Sequence, residues 1–331
     1  MRNTCVKTLG FIFCAALAMP AVSRAQYVMT ASDSLGNSSF NSAGNWSSGA
    51  APVAGSTYTT DGYLLRSPAS GSAYTFAGDS LTLGDGSGGA TFSTVTGNNN
   101  ALIFKVASQT LTVNNLIVNG SQIRDGLTDG QWAALDGTIT VQSGGAAFIA
   151  QDTNIINSTL EGTGTIYIGD NGAGTAARVI EFTSGSSTFT GNIMFNNTHS
   201  SANYSRAWFT QGSLMNFVIG ANGVNNGISG QGTLELSGNF AFNLSGADNT
   251  IGDSWDIVDA STTTTYDPTF DVDGFTQNGT LWDETANGSI YQYNEATGAL
   301  TVVPVPEPAT MALAGLGLVG LLAARANRRK A

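Results

Sequence analysis

Short apolar runs, alternating with polar residues and punctuated by glycine and asparagine, constrain the fold of this chain more than any other feature. Leu81-Thr82-Leu83, Leu102 to Val106, Leu111-Thr112-Val113, Leu116-Ile117-Val118 and Ile139-Thr140-Val141 open the series. Phe148-Ile149, Ile166-Tyr167-Ile168, Val179 to Phe182, Ile193 to Phe195, Phe217 to Ile219, Leu234-Glu235-Leu236 and Phe240 to Leu244 continue it. A period of two sends successive side chains to opposite faces, so each run predicts a short strand. Gly84-Asp85-Gly86, Asn119-Gly120, Ser143-Gly144-Gly145 and Asn222-Gly223 supply turns between them. No convincing helical pattern occurs between Gln26 and Val303, and the expected class is all-β.

Composition agrees. The chain holds 42 glycines in 331 residues, and Asn, Ser and Thr dominate the polar remainder. Ser and Asn compete for backbone hydrogen bonds, Thr is β-branched, and Gly costs entropy, so helices are disfavoured. Between Gln26 and Val303 stand five basic residues (Arg66, Lys105, Arg124, Arg178, Arg206) and 22 acidic ones, a balance of −17. That surface repels phosphate backbones and argues against nucleic acid as a partner.

Many short strands between Gly and Asn turns fit a β-solenoid, with coils of ~20–25 residues stacked ~4.8 Å apart, or a β-sandwich or jelly roll. Gly137-Thr138-Ile139-Thr140-Val141, Gly164-Thr165-Ile166-Tyr167-Ile168 and Gly232-Thr233-Leu234-Glu235-Leu236 share a Gly-Thr-apolar-x-apolar form. Their separations of 27 and 68 residues are not multiples of one strict period. The loose recurrence favours a right-handed parallel β-helix, with the sandwich as the alternative.

Both ends read as addresses. Arg2 and Lys7 precede the apolar stretch Leu9 to Ala18, and Ser23-Arg24-Ala25 places small residues at −3 and −1 before Gln26. This is the pattern of a secretory signal peptide over residues 1–25, cut between Ala25 and Gln26. Phe11-Ile12-Phe13 before Cys14 lacks the small residues of a lipoprotein signal. Cys5 and Cys14 both lie in the removed segment, so the mature body has no disulfide and no thiol chemistry.

At the other end, Pro306-Glu307-Pro308-Ala309-Thr310 leads into an apolar run from Ala309 to Ala324 and a basic stop of Arg325, Arg328, Arg329 and Lys330. As a helix the run spans roughly 24 Å, short of the ~20 residues of a stable anchor. A short span with a basic inner flank suits a transient hold in the membrane. These three parts, in this order over residues 304–331, resemble the PEP-CTERM sorting signal of Gram-negative bacteria. The resemblance implies processing near Pro306, Glu307 and Pro308 by a membrane-embedded exosortase, and delivery of the body to the cell exterior. It speaks for destination and not for what the body does.

The body, residues 26–303, is expected to be one elongated domain. It resembles autotransporter-associated β-strand repeats and the β-helical regions of exported bacterial proteins. Gly44-Asn45-Trp46-Ser47 and Phe76-Ala77-Gly78-Asp79-Ser80-Leu81-Thr82-Leu83 look like the opening of such proteins. Gly252-Asp253-Ser254-Trp255-Asp256-Ile257-Val258 to Leu300-Thr301-Val302 looks like the closing segment. Trp46, Trp255 and Trp282 then read as caps over the ends of the core, with sugar stacking as the other reading.

Candidates for chemistry are thin. Gly78-Asp79-Ser80-Leu81 spells the nucleophile block of GDSL esterases. Those enzymes need a histidine three residues after an aspartate, and the body's one histidine, His199, follows Asn196 at that spacing. Gly252-Asp253-Ser254 repeats the tripeptide as a turn. His199 alone builds no zinc site. Asp267, Asp271 and Asp273 before Gly274 only partly match a calcium loop, since Thr269 and Thr280 occupy two ligand positions. Asp152, Glu161, Asp170 and Glu181 follow at intervals of 9, 9 and 11 and would stack on one solenoid face. Five cations spread along the body leave little for a lyase groove holding acidic sugars. The expectation is an exported, non-catalytic surface or matrix protein without cofactor or metal, in contact with extracellular polysaccharide and with the membrane through its tail. A secreted β-helix polysaccharide lyase or hydrolase is the alternative.

Overall fold

The computed structural model describes residues 24–86, 100–128, 130–170, 178–195 and 205–305. Residues 1–23 of the expected N-terminal signal, His199, the expected C-terminal helix and the motif and basic residues from 306 onward lie outside them. Among the described residues there is no helix, and the chain winds as a three-faced β-solenoid with parallel strands on every face. The sandwich alternative is set aside.

Strands are numbered in chain order. Face one stacks β4 (Ala73–Thr75), the first part of β7 (Gln109–Val118), the first part of β9 (Trp132–Val141), β11 (Thr153–Ile156), β14 (Val179–Phe182), β16 (Arg206–Phe209), β19 (Thr233–Leu236) and β22 (Thr263–Tyr266). Face two begins with β1 (Ala25–Val28), β2 (Ser56–Thr59), β5 (Ser80–Leu83), the second parts of β7 and β9, and β12 (Thr159–Gly162). It continues through β17 (Leu214–Val218), β20 (Asn239–Asn243) and β23 (Asp271–Val272). Thr188 and Thr190 bridge the two stretches by donating their N–H groups to Leu160 and Gly162 carbonyls. Face three carries β3 (Leu64–Arg66), β6 (Ala101–Phe104), β8 (Ser121–Asp125), β10 (Ala146–Ala150), β13 (Ile166–Asp170), β15 (Ile193–Phe195) and β18 (Ile228–Gly230).

Each coil visits the faces in the same order, so strand register fixes which residues stack. On face one Ile156 lies between Leu135 and Phe182, Phe182 opposes Phe209, and Phe209 opposes Leu236. These side chains form an inward ladder. Phe182 stacks on Phe209 with centroids 4.8 Å apart and meets Phe148 of face three at 6.0 Å. Leu81, Leu116 and Ile139 align similarly inside face two, and Leu65, Leu102, Ile123 and Phe148 inside face three. In a parallel stack every interior apolar group meets its like above and below, which is why so short a strand suffices.

The runs 111–113 and 116–118 belong to one strand, β7, which turns a corner between faces where its register with β9 shifts. Opposite that corner Gly137 has φ +103°, and a Cβ there would collide with the Val113 carbonyl oxygen. Glycine is required for this close approach.

Both ends are covered. At the start, Trp46 packs edge-on to Tyr58 at 4.9 Å, Phe76 packs edge-on to Tyr58 at 5.4 Å, and Trp46 Nε1 donates to the Ser39 carbonyl. At the far end the pairing switches to antiparallel: β21 (Ser254–Asp256), β27 (Ala299–Val303), β26 (Ser289–Asn294), β25 (Leu281–Ala286) and β24 (Thr276–Asn278), in that spatial order. Tyr293 and Trp282 of this sheet pack on Phe240 and Phe270 of the last coils. Trp46, Trp255 and Trp282 are all buried. They close the core, and none of the three offers a face for stacking on sugar.

Candidate functional site

The expected signal cleavage falls at the first strand. Ala25 and Gln26 open β1, both exposed, with Ala25 opposite Ser56. Arg24, on the leader side of that bond, pairs with Asp79 at 3.4 Å. Cleavage at the expected bond would remove this ion pair and leave Asp79 holding the Gly55 N–H at 2.7 Å. At the other end β27 stops at Val303, and Val305 is exposed. Pro306, Glu307, Pro308, Arg325, Arg328, Arg329 and Lys330 lie beyond the described residues.

The esterase-like block has a structural explanation. A Cβ on Gly78 would press into Phe76 and Tyr58, so the glycine fits against the aromatic cap. Leu81 is wholly buried, and Asp79 is a turn acceptor. The aspartates of the partial calcium pattern are also committed to local bonds. Asp267 accepts from Ser237 Oγ, Asp271 from the Val272 N–H, and Asp273 from Asn239 Nδ2 at 2.8 Å. Among the described residues no three of His, Cys, Asp and Glu gather as metal ligands.

The acidic series does not stack. Asp152 sits buried at the corner leading into face one and accepts the Gln131 N–H at 2.6 Å. Glu161 belongs to β12 on face two, Asp170 to β13 on face three and Glu181 to β14 on face one. Coil length varies too much for equal spacing to mean one face. Ala146 and Ile166, adjacent on face three, are 20 residues apart, whereas Leu64 and Ala101 are 37 apart.

Register instead assembles two groupings that spacing concealed. On the outer surface of face one, Ile155, Glu181, Trp208, Glu235 and Thr265 form one column. Trp208 is half-buried between the two carboxylates, and its Nε1 donates to Ser237 Oγ at 3.2 Å. Burial, and then the charge of Glu235, pushes the Glu181 carboxyl above its ordinary value. Adjacent rungs are about 4.8 Å apart, so the two glutamates stand roughly 9.6 Å apart with the indole between them.

The second grouping overturns the even spread of cations. On face three Arg66 opposes Ile103 and Ile103 opposes Arg124, while Lys105 follows directly on β6. Arg66 and Lys105 line one cleft of about 230 Å³ with Leu35, Asn37, Ser67 and Ala69. Two further clefts, one beside Tyr266 and Glu295 and one beside Phe217 and Phe242, have no basic residue in their walls. Neither grouping was legible before the register was known.

Residues 304–330 match the PEP-CTERM protein-sorting motif. The tail therefore marks an exported protein addressed to exosortase sorting. No curated protein and no solved structure matches the chain.

Proposed function

We propose that the chain is a non-catalytic cell-surface or extracellular-matrix protein whose body associates with exopolysaccharide, and that its tail holds it in the inner membrane only until an exosortase acts. The solenoid coils right-handed in this reading, the usual hand for parallel crossover connections. The observation that carries it is the sorting motif at 304–330, set directly after a solenoid closed at both ends. A closed, polar rod with side chains in regular outer columns suits many weak contacts along a long polymer. The test is intact mass combined with cell fractionation. A species beginning at Gln26, ending near Pro306 to Pro308 and found outside the cell is expected. A species retaining Arg328 to Lys330 in the membrane fraction would mean the tail is a permanent anchor.

A hydrolase is the second reading, and Glu181 and Glu235 favour it. Inverting glycosidases hold two carboxyl groups about 6.5–9.5 Å apart, close to the separation of this pair. Against it, neither glutamate lines any of the three clefts, and catalysis needs the sugar enclosed. Reducing-sugar release from neutral and acidic polysaccharides, lost in both Glu181→Gln and Glu235→Gln, would replace the structural reading with an enzymatic one.

A further inference from the structure

Between Gln26 and Val303 acids outnumber bases by 22 to five, yet three of the five bases meet on one part of face three. Arg66 and Arg124 flank Ile103 in one outer column, their backbones roughly 9.6 Å apart across two rungs. Lys105 lies at the end of the middle rung, where its N–H donates to Ser67 Oγ at 3.0 Å. Its ammonium rests on Gly126, where a Cβ would collide with Nζ. Arg124 itself is buried.

The nearby acids are occupied elsewhere. Asp33 is buried, and its carboxylate accepts the Ser39 and Arg66 N–H groups, both at 2.9 Å, together with Ser39 Oγ and Asn45 Nδ2. The Arg66 Nε donates to the Asp33 backbone carbonyl at 3.1 Å, which orients the guanidinium without neutralising it. Asp125 accepts the N–H groups of Gln151 and Leu127. Among the described residues neither Arg66 nor Lys105 forms an ion pair. Burial, followed by repulsion from Arg66 and Arg124, holds the Lys105 ammonium below its ordinary pKa, and Asp125 opposes this less strongly. Like charges left together in a chain rich in acids are a standing cost that a bound anion would relieve.

The cleft in front of these cations has the right walls for a sugar acid. Its volume of about 230 Å³ is below the ~300–1,000 Å³ of a drug-sized site, so it suits one ring and not several. Leu35, 86% exposed at its rim, offers an apolar contact, and Asn37 offers a polar one. We propose that this cleft binds one carboxylate-bearing sugar unit of an acidic polysaccharide, with Arg66 and Lys105 holding the carboxylate and Leu35 lying against the ring. The proposal rests on the polysaccharide association above and names its chemistry.

The test is calorimetric titration of full-length protein in detergent with polygalacturonate, with dextran and with sodium phosphate. Polygalacturonate is expected to bind at low salt and dextran not to bind. The double variant Arg66→Gln/Lys105→Gln should weaken polygalacturonate at least about tenfold, the scale of one lost charge-assisted hydrogen bond. Lys105→Glu, which alters only an exposed side chain, should weaken it as well. Arg206→Gln, on face one, should leave it unchanged. An unchanged urea midpoint in the variants ties the loss to the cleft. Wild-type affinity in the double variant, binding of dextran as tight as that of polygalacturonate, or saturation by phosphate at the same affinity would each overturn the proposal. Polygalacturonate binding that survives the double variant would remove the cleft and leave the matrix reading standing. A tail retained in the membrane would remove that reading whatever the cleft binds.

Discussion

Phe182→Ala tests the inward ladder on which the whole rod depends. Phe182 is 2% exposed, stacks on Phe209 at 4.8 Å and meets Phe148 at 6.0 Å. Truncation therefore removes a buried ring with neighbours on two faces and leaves a cavity that rigid rungs on either side cannot fill. The expected loss is about 3–5 kcal/mol, because the vacated space adds to the lost transfer energy. Phe182→Leu keeps most of the volume and forfeits mainly the ring contacts, a loss of roughly 0.5–1.5 kcal/mol per aromatic pair. Urea unfolding measures both. Hydrogen exchange then locates the damage: in a stack stabilised by nearest neighbours, amides of β11, β14 and β16 should open first. An alanine variant that loses under about 1 kcal/mol, or exchange that rises evenly from β2 to β27, would refute the ladder as the source of stability.

Two further outcomes follow from charge and burial. Because the Glu181 carboxyl is raised above its ordinary 4.5 by burial and by Glu235, its ionised form costs stability at neutral pH and that cost is relieved as pH falls through the raised value. Glu181→Gln should therefore stabilise at pH 7, by under about 1 kcal/mol at so open a site, with the gain gone below pH 4.5; a gain that persists in acid would exclude charge as its origin. Tyr266 and Tyr293 share a hydroxyl hydrogen bond of 2.7 Å, and burial pushes Tyr266 up to about 12 from an ordinary 10. The unfolded chain ionises first, so stability should be intact below pH 10 and fall between 10 and about 12; a Tyr266→Phe variant that loses as much stability over that range would contradict Tyr266 as the origin.

The strands were legible because each needs only a local pattern. Ser80–Leu83, Ile166–Asp170, Val179–Phe182 and Thr233–Leu236 lie where alternation placed them. The period was not legible, because equivalent sequence serves different faces. Gly164-Thr165-Ile166 opens a face-three strand, whereas Gly232-Thr233-Leu234 opens one on face one. Stacking fixes only the rungs, and the turns between them absorb length freely. For the same reason Arg66, Lys105 and Arg124 looked scattered: their meeting depends on coils of 37 and 21 residues between Leu64, Ala101 and Gln122. Glu181, Trp208 and Glu235 were hidden likewise by two coils of 27, set by Val179, Arg206 and Thr233. Trp46, Trp255 and Trp282 could be read as caps because bulky rings interrupt a pattern of small residues.

The last strand before the sorting tail is not an edge strand. β27 lies between β21 and β26 and is hydrogen-bonded on both sides. Tension applied through the tail therefore pulls along a strand gripped from two directions, loading many bonds in shear at once instead of peeling them one by one. Three residues from Val303 to Pro306 reach about 10 Å at most. Were the tail held in the membrane as proposed, the closing sheet would stay close to the bilayer, and cutting at Pro306 would take place beside folded protein. The strand pairing would then make the attachment point a mechanical clamp on a short leash, loaded without unravelling the rod.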